Sequence, residues 1–491
     1  MSDNANNEFV CGVTETGCKT DCNRLHGLFI HTFGCQLNEY DSEKVFMLLS
    51  EHYRPVFSIE EASVVFINSC SVRHKAEHKL YGLLGKLELE KQKRPDLIIG
   101  VGGCVAQQEG ERILRRFSKV DFVVGTHNIS QIPELIKKAK QSGNKTLSAK
   151  ERINQALSVN MKDSWEKLPL SDEFGVMEKH GAAFGAYYSP TRAFVAIQRG
   201  CNNKCAYCVV PHTRGPEISR DFNEIIEEIT EKTKHHPKEV MLLGTTVNSY
   251  GGDLLPSCSF AELVKRVAEL PNVLQIRFTS PHPRLVSDEF IDLYQSIPKL
   301  APHIHLPLQS GSNRILKLMN RGYTREQYFD IVTALKEKRP ELSISTDLIV
   351  GFPTETEAEF EDTLDVIRRV NFCASYSFCY SERPNTSAFG RYDKGDMVDN
   401  KVSLKRLSIL QKLQNELSLS FNKNYVGTKT SALIEGEHKH NSLHLRGRTP
   451  QNVLIKIELE KELGYSIIAK PIVNEVCVIS ATPHCIKGVM R

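Results

Sequence analysis

The sequence predicts an α/β protein with three folded parts, and two observations support this class. Short apolar, β-rich runs alternate with helical segments through residues 28–141 and again through residues 191–425. From residue 426 onward the helical pattern stops, and short alternating strands with polar turns follow one another. Strand–helix alternation is typical of parallel α/β domains, and closely spaced strands are typical of a small barrel. We therefore predict an N-terminal parallel α/β domain, a central partial (β/α)6 barrel and a C-terminal all-β barrel.

Composition and charge place the chain among soluble globular proteins. It has 491 residues, of which 40% are hydrophobic and 25% are charged. No apolar run is long enough to span a bilayer, and the polar start MSDNANNEFV lacks the basic and apolar segments of a signal peptide. We therefore expect a cytoplasmic protein without membrane association. The net charge of +4 is compatible with RNA binding but is too small to predict it.

The fourteen cysteines are too scattered for a disulfide scaffold, so they indicate core packing, catalysis or metal binding. Residues 1–27 form a polar extension that contains Cys11, Cys18 and Cys22. Their spacing would allow a metal site, but we favour a flexible tail with incidental thiols. We assign five cysteines that lack any partner spacing to packing: Cys258, Cys373, Cys379, Cys477 and Cys485.

In the N-terminal domain, residues 28–141, three cysteines stand at the ends of predicted strands. The runs LFIHTFGC, SVVFINSC and LIIGVGGC end at Cys35, Cys70 and Cys104, and helices are predicted near 38–50, 72–93 and 106–117. A fourth unit, DFVVGT with the helix SQIPELIKKAKQ, completes the domain. The carboxyl ends of parallel strands form one crevice, so these distant cysteines should converge. We therefore favour a shared metal site over coincidence.

Residues 142–190 lose this periodicity and are predicted to form a linker, which contains the one tryptophan, Trp165. Order resumes with the strand AFVAIQRG, and five more strands are predicted at 239–244, 274–280, 303–309, 342–352 and 372–380. Helices are predicted between them near 222–234, 259–269, 287–297, 324–338 and 357–370. Six β/α units predict an open barrel with its chemistry on the loops after the strands.

One long amphipathic helix, SLKRLSILQKLQNELSLSFNKNYV, is predicted to join the central barrel to the C-terminal strands. The runs TSALIEG, NVLIKIEL, SIIAKPIV and EVCVISA then predict a small β-barrel over residues 426–491. Arg446 and Arg448, in LRGRT, are expected to bind RNA, with an ordinary surface role as the alternative.

The loop after the first strand of the central barrel contains three cysteines in a C-x3-C-x2-C spacing: Cys201, Cys205 and Cys208. A structural zinc site takes four protein ligands, which here would need His212. A 4Fe–4S cube normally takes four thiolates, so three of them leave one iron open. That iron can bind a small molecule through an amino group and a carboxylate. We favour the cube, because the loop opens a series of six β/α units.

S-Adenosylmethionine offers both groups on its methionine end. An electron passed from the cluster into its sulfonium breaks a carbon–sulfur bond and leaves a 5′-deoxyadenosyl radical, which can remove hydrogen from an unactivated C–H bond. Side chains cannot do this by acid–base chemistry, so the protein's tasks are positioning and exclusion of water. The cysteine spacing, with Tyr207 before the last cysteine, resembles that of the radical S-adenosylmethionine superfamily.

Motifs along most of the chain extend this resemblance. In order, the chain contains HTFGCQLNEYDSEK, INSCSVRHKAEHKLYG, VGGCVAQQEGE, VVGTHNI, CAYCVVPHTRG, LLGTTVNSYG, IRFTSPHPR, HIHLPLQSGSNRILKLMNRGYTR, ISTDLIVGFPTETE and LRGRTPQN. Together they resemble the radical methylthiotransferases. The resemblance implies a methylthiotransferase domain whose Cys35, Cys70 and Cys104 bind a second 4Fe–4S cluster. It further implies a radical S-adenosylmethionine domain at 191–425 and an RNA-binding TRAM barrel at 426–491.

Within this family, CVVPHTRG and HIHLPLQSGS fit best the branch that modifies prenylated adenosine in tRNA. The resemblance implies that the enzyme replaces the C2 hydrogen of N6-isopentenyladenosine, next to the anticodon, by a methylthio group. One S-adenosylmethionine supplies the radical and a second supplies the methyl group, while the sulfur waits on the open iron of the second cluster. The reaction also needs a sulfur donor and an electron donor, such as a reductase or a flavodoxin-like protein. We expect a monomer.

Two other functions stay open. An enzyme with the same chemistry would modify threonylcarbamoyl-adenosine in tRNA or an aspartate of a ribosomal protein. A non-catalytic iron–sulfur protein would bind RNA and use its cluster as a structural staple. A staple gains from a closed fourth ligand position, so three thiolates per site argue against it.

Contacts to S-adenosylmethionine are expected on the loops that end barrel strands. The candidates are Gly244, Ser280, Gln309, Ser310 and Gly351. His282, in the same loop as Ser280, is a further candidate. At Gly351 we expect a close approach of the backbone to the adenine of the cofactor.

Several positions depart from the family pattern. Thr245 and Thr246 stand where Gln-Asn is usual, and His212 stands where a tyrosine is usual. Asn385 replaces a glycine in SERPNTSAF, and asparagine tolerates a positive φ, so the turn should be retained. The cationic segment SVRHKAEHK follows Cys70 directly and starts a predicted helix. It would either bind RNA phosphates or form a solvated helix face.

Overall fold

The computed structural model describes residues 25–71, 74–142, 149–161, 191–438, 441–459 and 472–490. The N-terminal cysteines Cys11, Cys18 and Cys22, and Trp165 of the linker, lie outside these ranges. Within them the chain forms an N-terminal parallel sheet, a central β/α part and a closed C-terminal barrel, as the sequence predicted. Among the described helices, none has both the length and the apolar character needed to cross a membrane.

The N-terminal part is one parallel sheet covered by helices. Its strands are β1 (His26–Thr32), β2 (Tyr53–Pro55), β3 (Val64–Ser69), β4 (Ile98–Gly103), β5 (Phe122–Val124) and β6 (Leu157–Ser158). Its helices are α1 (Gln36–Leu49), α2 (His74–Lys93), α3 (Cys104–Arg116), α4 (Ile132–Ser142) and α5 (Ala149–Ala156). The strand order is β2-β1-β3-β4-β5-β6. Every residue of β3 and β4 is buried, as expected for a parallel sheet with helices on both faces.

The elements α5 and β6 correct the sequence analysis, which placed their residues in a linker. β6 pairs with Val123 and Val124 of β5 and adds an edge strand to the sheet. Ala156 and Ile153 of α5 pack in the apolar cluster on one face of this sheet. The helix has eight residues and the strand has two, so neither is long enough to show a periodic apolar pattern.

The central part contains eight strands and seven helices. Its strands are β7 (Arg192–Ala196), β8 (Gln198–Arg199), β9 (Ile218–Ser219), β10 (Lys238–Leu243), β11 (Val273–Phe278), β12 (His303–His305), β13 (Ser343–Val350) and β14 (Ala374–Cys379). Its helices are α6 (Val210–Arg214), α7 (Phe222–Thr233), α8 (Phe260–Glu269), α9 (Asp288–Ser296), α10 (Asn313–Leu318), α11 (Arg325–Lys338) and α12 (Glu357–Val370).

Six of these strands form the predicted open half-barrel. They make two parallel sheets of three strands, in the orders β7-β10-β11 and β12-β13-β14. Ile276 of β11 joins the sheets, because its backbone bonds to Lys299 and Ala301 just before β12. In β12 and β13, Ile304 and Leu348 pack in the main apolar core. Successive strand residues face opposite sides, so the alternate residues of these strands face the concave side of the half-barrel.

Three helix starts anchor the loops that follow strands. The hydroxyls of Ser259, Thr324 and Thr356 each accept a hydrogen bond from the backbone N–H three residues further on, and the Glu or Gln at that position bonds back. These capping boxes open α8, α11 and α12. Those of α8 and α12 therefore fix the ends of the loops after β10 and β13, and the N-cap Ser312 of α10 does so for the loop after β12.

The C-terminal part is a small closed barrel that α13 (Asn400–Lys423) joins to the half-barrel, as predicted. Gln414 of α13 donates to the Phe372 carbonyl at 2.8 Å, and Ser418 donates to the Cys373 carbonyl at 2.8 Å. The barrel strands are β15 (Lys429–His438), β16 (Asn441–Arg448), β17 (Leu454–Leu459), β18 (Ile472–Ala481) and β19 (Ile486–Met490). They close in the order β15-β16-β17-β19-β18.

Helix α1 covers the open edge of the half-barrel at β7. Tyr40 shares an apolar cluster with residues of β7 and β10, and its hydroxyl donates to Glu228 Oε2 at 3.1 Å. Lys44 Nζ lies 3.4 Å from Glu228 Oε1, and Lys232 Nζ lies 2.8 Å from Glu43 Oε1. Burial alone would raise the pKa of Glu228, but Lys44 and Lys232 hold it well below its usual value. The contact between the two parts is therefore ionic and buried.

The two outer parts lie at different faces of the half-barrel. The N-terminal part also reaches the far edge, where Glu77 of α2 lies 3.4 Å from Arg383, which follows β14. The C-terminal barrel meets the first residues of β7 and β13. Arg192 Nη2 lies 2.6 Å from Glu435 Oε1, and Ser343 donates to the Gln451 carbonyl at 2.9 Å. This barrel therefore covers the amino ends of the strands, away from the loops that follow them.

Candidate active site

The first set of thiols, which we call the barrel thiol site, comprises Cys201, Cys205 and Cys208. The loop begins at Gly200, whose φ of 69° favours glycine. A side chain at Gly200 would overlap the carbonyl oxygen of Pro216, where the chain leaves the loop. Cys201 N–H donates to the Gly215 carbonyl at 3.1 Å, which closes the loop at its base. The tight loop is possible because glycine stands at its first position.

Each thiol of this site has different neighbours. Cys201 Sγ lies 3.3 Å from Thr246 Oγ1 and accepts from the backbone N–H of Asn203 at 3.4 Å. Burial raises the pKa of Cys208 to about 12, and Cys205 and Cys201 add to this rise. The thiols are therefore close enough to interact, and a buried thiolate at Cys208 needs a compensating positive charge.

Arg321 supplies a positive charge to the barrel thiol site. The guanidinium is buried, and its Nη1 lies 3.3 Å from Cys205 Sγ. Its other nitrogens bond to the Pro307 carbonyl at 3.2 Å and to the Tyr323 hydroxyl at 3.3 Å. Although burial opposes its charge, Tyr207, Tyr323 and Cys205 raise the pKa of Arg321 well above its ordinary value. The sequence pattern did not indicate this residue, which lies in the motif LMNRGYTR.

Gln198, which no sequence pattern indicated, links the thiol loop to the neighbouring strand end. Its Nε2 donates to the Gly200 carbonyl at 2.8 Å. Its Oε1 accepts from the backbone N–H groups of Thr245 at 2.9 Å and Thr246 at 3.1 Å. The unusual Thr-Thr pair therefore keeps a defined backbone position. The hydroxyl of Thr245 is buried without a hydrogen-bond partner among the described residues.

The strand-end residues predicted to contact the cofactor are strained or tightly packed. Ser280, Gln309 and Gly351 have positive φ values of 57°, 76° and 70°. Asn385 has φ 66°, so the asparagine does retain the turn of the family's glycine. A side chain at Gly351 would overlap Ser403 of α13. Gly351 is therefore needed for packing against α13, a role separate from the predicted close approach of its backbone to the adenine of the cofactor.

Gly244 and Ser310 occupy two other loops at the same end of the half-barrel. A Cβ at Gly244 would come 3.0 Å from Gln198 Oε1, so a larger residue would disturb the link to the thiol loop. Ser310 is buried, and its hydroxyl accepts from the Ser312 N–H at 3.2 Å. The structure thus brings the five predicted residues to the loop end of one half-barrel, and their contacts to S-adenosylmethionine stay predictions.

His282 offers a free donor at this end of the half-barrel. Burial lowers its pKa to about 3, and Arg321 and Arg284 add to the effect, so the ring is neutral. Its Nδ1 accepts from the Arg284 N–H at 3.2 Å, which places the proton on Nε2. Nε2 is buried and has no hydrogen-bond partner in the described part of the chain. A ligand with an acceptor atom would satisfy this group.

The second set, which we call the N-terminal thiol site, comprises Cys35, Cys70 and Cys104. Cys35 directly precedes α1, Cys70 directly follows β3, and Cys104 begins α3 after β4. The strands concerned, β1, β3 and β4, are neighbours in the sheet. Cys70 and Cys104 are buried, whereas Cys35 is exposed. Desolvation by the surrounding protein raises the pKa of Cys35, Arg214 opposes the rise and Cys104 adds to it. The three thiols therefore lie at one edge of the sheet, as the sequence predicted.

Two polar side chains, both missed by the sequence analysis, hold the three cysteine loops together. Asn38 Nδ2 donates to the carbonyls of Phe33 and Ser69, each at 2.9 Å, and so joins the first two loops. Ser69 Oγ bonds to the Gly102 carbonyl and accepts from the Ala106 N–H at 3.2 Å, and so joins the second and third. Asn38 lies in the motif CQLNE and Ser69 in the motif INSC, but the spacing of residues in these motifs does not show which distant groups their side chains contact.

Glycine is also required where the loops of this site approach each other. Gly34 has φ 116°, and a Cβ there would lie 2.6 Å from the Sγ of Cys70. Gly103 has φ 89°, and a side chain there would overlap the carbonyl oxygen of Ser69. The residue before each of two cysteines is therefore restricted to glycine by both conformation and space.

A segment of the half-barrel joins the two thiol sites. This docking segment, residues 209–215, begins directly after Cys208 and includes α6. Thr126 Oγ1 donates to the Thr213 carbonyl at 2.7 Å, and His127 Nε2 lies 3.0 Å from the Arg214 carbonyl. Arg214 Nη2 donates to Asp41 Oδ2 at 2.7 Å. The segment therefore lies at the same edge of the N-terminal sheet as its cysteines.

The donor sets fit a cluster better than a single metal ion. Over the described residues, no group of three or more Cys, His, Asp or Glu side chains is placed to hold one metal ion. A cube of four irons is larger than one ion and separates its thiolates more widely. Three thiols beside a buried arginine suit such a group, which carries negative charge with its ligands.

Two families match parts of the chain. The Radical SAM superfamily matches residues 195–367, and "Uncharacterized protein family UPF0004" matches residues 27–125. A tRNA-2-methylthio-N(6)-dimethylallyladenosine synthase from Syntrophobacter fumaroxidans is 40% identical over 94% of this chain and 95% of its own. Synthases of the same name from Geobacter metallireducens and Alteromonas mediterranea are 41% and 42% identical, over 90% and 88% of this chain and 94% and 86% of theirs.

The chain belongs to the tRNA-2-methylthio-N(6)-dimethylallyladenosine synthase family. As a member of this synthase family it is a radical S-adenosylmethionine enzyme, which confirms the predicted class and cofactor. The fold agrees. A radical S-adenosylmethionine methyltransferase, TsrM, from Kitasatospora setae aligns with a TM-score of 0.52 over 74% of each chain, at 11% identity. At that identity the likeness concerns the fold alone.

Replacing Gly200 by alanine should remove the cluster of the barrel thiol site. The positive φ and the overlap with Pro216 would force the loop open and separate its thiols. After anaerobic reconstitution, iron and sulfide per chain should fall to roughly half of the wild-type value, because only one of two clusters would remain.

Gly252→Ala is the matched control. It lies in an exposed loop of the half-barrel, where the nearest atom to an added Cβ is the Ser249 carbonyl at 3.7 Å. Its iron content should equal that of the wild type. Full iron content in Gly200→Ala would show that the loop does not depend on this glycine.

Proposed function

We propose that this chain adds a methylthio group to C2 of N6-isopentenyladenosine in tRNA, next to the anticodon, as a cytoplasmic enzyme. One observation supports this most: two three-thiol sites lie on either side of one short docking segment. The reaction has two halves, removal of hydrogen and delivery of sulfur, and two sites with an open iron suit it. The relatives' shared name supports the substrate.

We propose that Cys201, Cys205 and Cys208 hold the cluster that binds S-adenosylmethionine, and that Cys35, Cys70 and Cys104 hold the second. When bound, the clusters and S-adenosylmethionine supply electron transfer, radical hydrogen abstraction and the sulfur and methyl groups. The chain supplies position and charge. The buried hydroxyl of Thr245 and Nε2 of His282 are unsatisfied polar atoms beside the barrel thiol site, and they suit the polar groups of S-adenosylmethionine.

The concave side of the half-barrel supports a polar, aromatic substrate such as a nucleobase. His303 Nε2 and His305 Nδ1 each lie 3.0 Å from the hydroxyl of Ser345. His305 Nε2 lies 3.3 Å from Asp347 Oδ2, and its ring lies 5.8 Å from the ring of Tyr376. Donors, acceptors and an aromatic face are the groups that recognise an unstacked base. Asp347 would also repel a substrate that brings a carboxylate.

The C-terminal barrel presents a row of cations that supports tRNA binding. Arg446, Lys456 and Lys487 are register partners on β16, β17 and β19, so they lie side by side. The row is outward-facing, because alternate residues such as Ile455 and Ile457 fill the barrel core. Spaced cations on neighbouring strands suit successive phosphates of a nucleic acid.

The two arginines of LRGRT differ in exposure and in their role at the edge of the barrel. Arg448 Nε lies 2.8 Å from Glu435 Oε1, the carboxylate that also binds Arg192 of the half-barrel. Arg448 therefore shares a carboxylate with Arg192 and supports the docking of the barrel on the half-barrel. Arg446 lies 3.2 Å from Glu435 Oε2 but remains 49% exposed, so it stays a candidate for RNA contact.

Three tRNAs of one sequence test the substrate: unmodified, prenylated and threonylcarbamoylated. The isopentenyl group adds five apolar carbons, and burial is worth about 0.8 kcal/mol per methylene. The group could therefore contribute roughly 3–4 kcal/mol, on the order of a few hundredfold in rate. Assayed anaerobically with excess S-adenosylmethionine and sulfide, the prenylated tRNA should give the methylthio nucleoside about a hundredfold faster than the other two.

Equal rates on unmodified tRNA would refute the selectivity for the prenyl group. A preference for threonylcarbamoylated tRNA would assign the chain to the rival branch, against the repulsion expected from Asp347. Formation of 5′-deoxyadenosine in the same reactions separates an enzyme from a non-catalytic RNA-binding protein, because only an enzyme cleaves S-adenosylmethionine.

The double variant Lys456→Gln, Lys487→Gln tests the cation row. Each lost phosphate contact should reduce the slope of log affinity against log salt by about 1, so tRNA binding should weaken and lose roughly 2 in slope. Formation of 5′-deoxyadenosine without tRNA should be unchanged, because neither lysine lies near a thiol site. Both quantities can be followed by filter binding at several salt concentrations and by chromatography.

Lys412→Gln is the control, since Lys412 is exposed on α13 outside the row. It should leave both affinity and slope unaltered. Point variants are preferable to deletion of the barrel, because Arg192 and the buried Arg277 would lose partners in Glu435 and the Thr449 carbonyl. An unaltered salt slope in the double variant would remove the cation row from the tRNA interface.

A further inference from the structure

Arg214 is a buried cation that belongs to the half-barrel but lies among residues of the N-terminal thiol site. Its Nη2 donates to Asn38 Oδ1 and to Asp41 Oδ2, each at 2.7 Å. Asn38 Oδ1 also accepts from the Cys35 thiol at 3.8 Å. One amide oxygen therefore connects the guanidinium to a cysteine of the other part of the chain.

The electrostatic surroundings of Arg214 agree with this geometry. Burial opposes its charge, but Asp41, Cys104 and Cys35 raise its pKa above the ordinary value. Arg321 is the corresponding cation of the barrel thiol site, at 3.3 Å from Cys205 Sγ. The difference is that Arg321 and its thiols share one part of the chain, whereas Arg214 acts across the interface.

The sign of a nearby charge decides how it affects a redox centre. A three-thiolate cluster gains a further negative charge when it is reduced. A cation nearby stabilises the reduced form and raises the reduction potential, whereas an anion lowers it. At low effective dielectric such effects extend over several ångströms, so they do not require a bond to the sulfur.

We propose that Arg214 is a positioning residue which raises the reduction potential of the cluster at the N-terminal thiol site, and that Asp41 lowers it. The proposal rests on the proposed function, since it assumes that Cys35, Cys70 and Cys104 hold a cluster. Because Arg214 follows Cys208 by six residues, docking of the half-barrel would set the potential of the sulfur-delivering site. The cluster at the N-terminal thiol site would thus reach this potential only when the half-barrel is docked.

The test uses the full chain with Cys201, Cys205 and Cys208 replaced by alanine, so that one cluster gives the signal. In this background, Arg214→Gln should shift the midpoint potential to a more negative value. Asp41→Asn should shift it to a more positive value, because the guanidinium loses its counter-charge. Arg214→Lys should lie closer to the parent than Arg214→Gln. Electron paramagnetic resonance during redox titration measures each potential.

Shifts of opposite sign in the two variants distinguish an effect of charge from general damage to the site. General damage would shift the potential in the same direction whether a cation or an anion is removed. Arg220→Gln is the control: Arg220 is a buried cation of the same interface, but its ion pair is with Glu228. It should leave the potential unchanged. Shifts of one sign in both Arg214→Gln and Asp41→Asn, or no shift in either, would overturn the inference.

The same experiment separates this inference from the proposed function. If the triple-alanine background holds no cluster, then Cys35, Cys70 and Cys104 are not its ligands and the proposed function fails. If the cluster is present and its potential ignores both charges, only the role of Arg214 and Asp41 fails. If Arg214→Gln loses the cluster, the potentials of the other two variants decide. A more positive potential in Asp41→Asn, with that of Arg214→Lys close to the parent, supports the inference, and no shift in Asp41→Asn overturns it.

Discussion

Three charged residues of α1, Asp41, Glu43 and Lys44, lie largely buried between the N-terminal sheet and the edge of the half-barrel, and buried charges must be paired to be tolerated. Tyr40 and Lys44 find their partner in Glu228, and Asp41 finds its partner in Arg214. None of these contacts can form within one part of the chain alone. Because α1 begins directly after Cys35, the same pairing fixes the N-terminal thiol site relative to the half-barrel. The distance between the two sites thus depends on this interface.

Each thiol site combines glycines at positive φ with a buried cation. Glycines at positions 34, 103 and 200 adopt positive φ values beside cysteines, which lets the loops approach closely. The buried guanidiniums of Arg214 and Arg321 offset the negative charge that three thiolates bring to each site. Two sites built in the same way, one for each half of a reaction, support a methylthiotransferase better than a structural staple. The remaining polar groups, above all those of the concave side, suit a nucleobase.

Sequence periodicity predicted the long, apolar strands and helices. It also placed the cysteines correctly at the ends of strands. The short elements α5 and β6 were missed, and β12 ends at His305, earlier than predicted, before Gln309 turns to a positive φ. The cations beside the thiols were not predictable in the same way. Arg214 contacts Asn38 across 176 residues and Arg321 contacts Cys205 across 116, and no local pattern records pairs so far apart.

A single assay of both products tests most directly whether the two thiol sites divide one reaction between them. 5′-Deoxyadenosine and the methylthio nucleoside are measured with prenylated tRNA in two variants. Replacing Cys35, Cys70 and Cys104 by alanine should leave 5′-deoxyadenosine and abolish the methylthio nucleoside. Replacing Cys201, Cys205 and Cys208 by alanine should abolish both. Methylthio product from the first variant, or 5′-deoxyadenosine from the second, would contradict the division of labour.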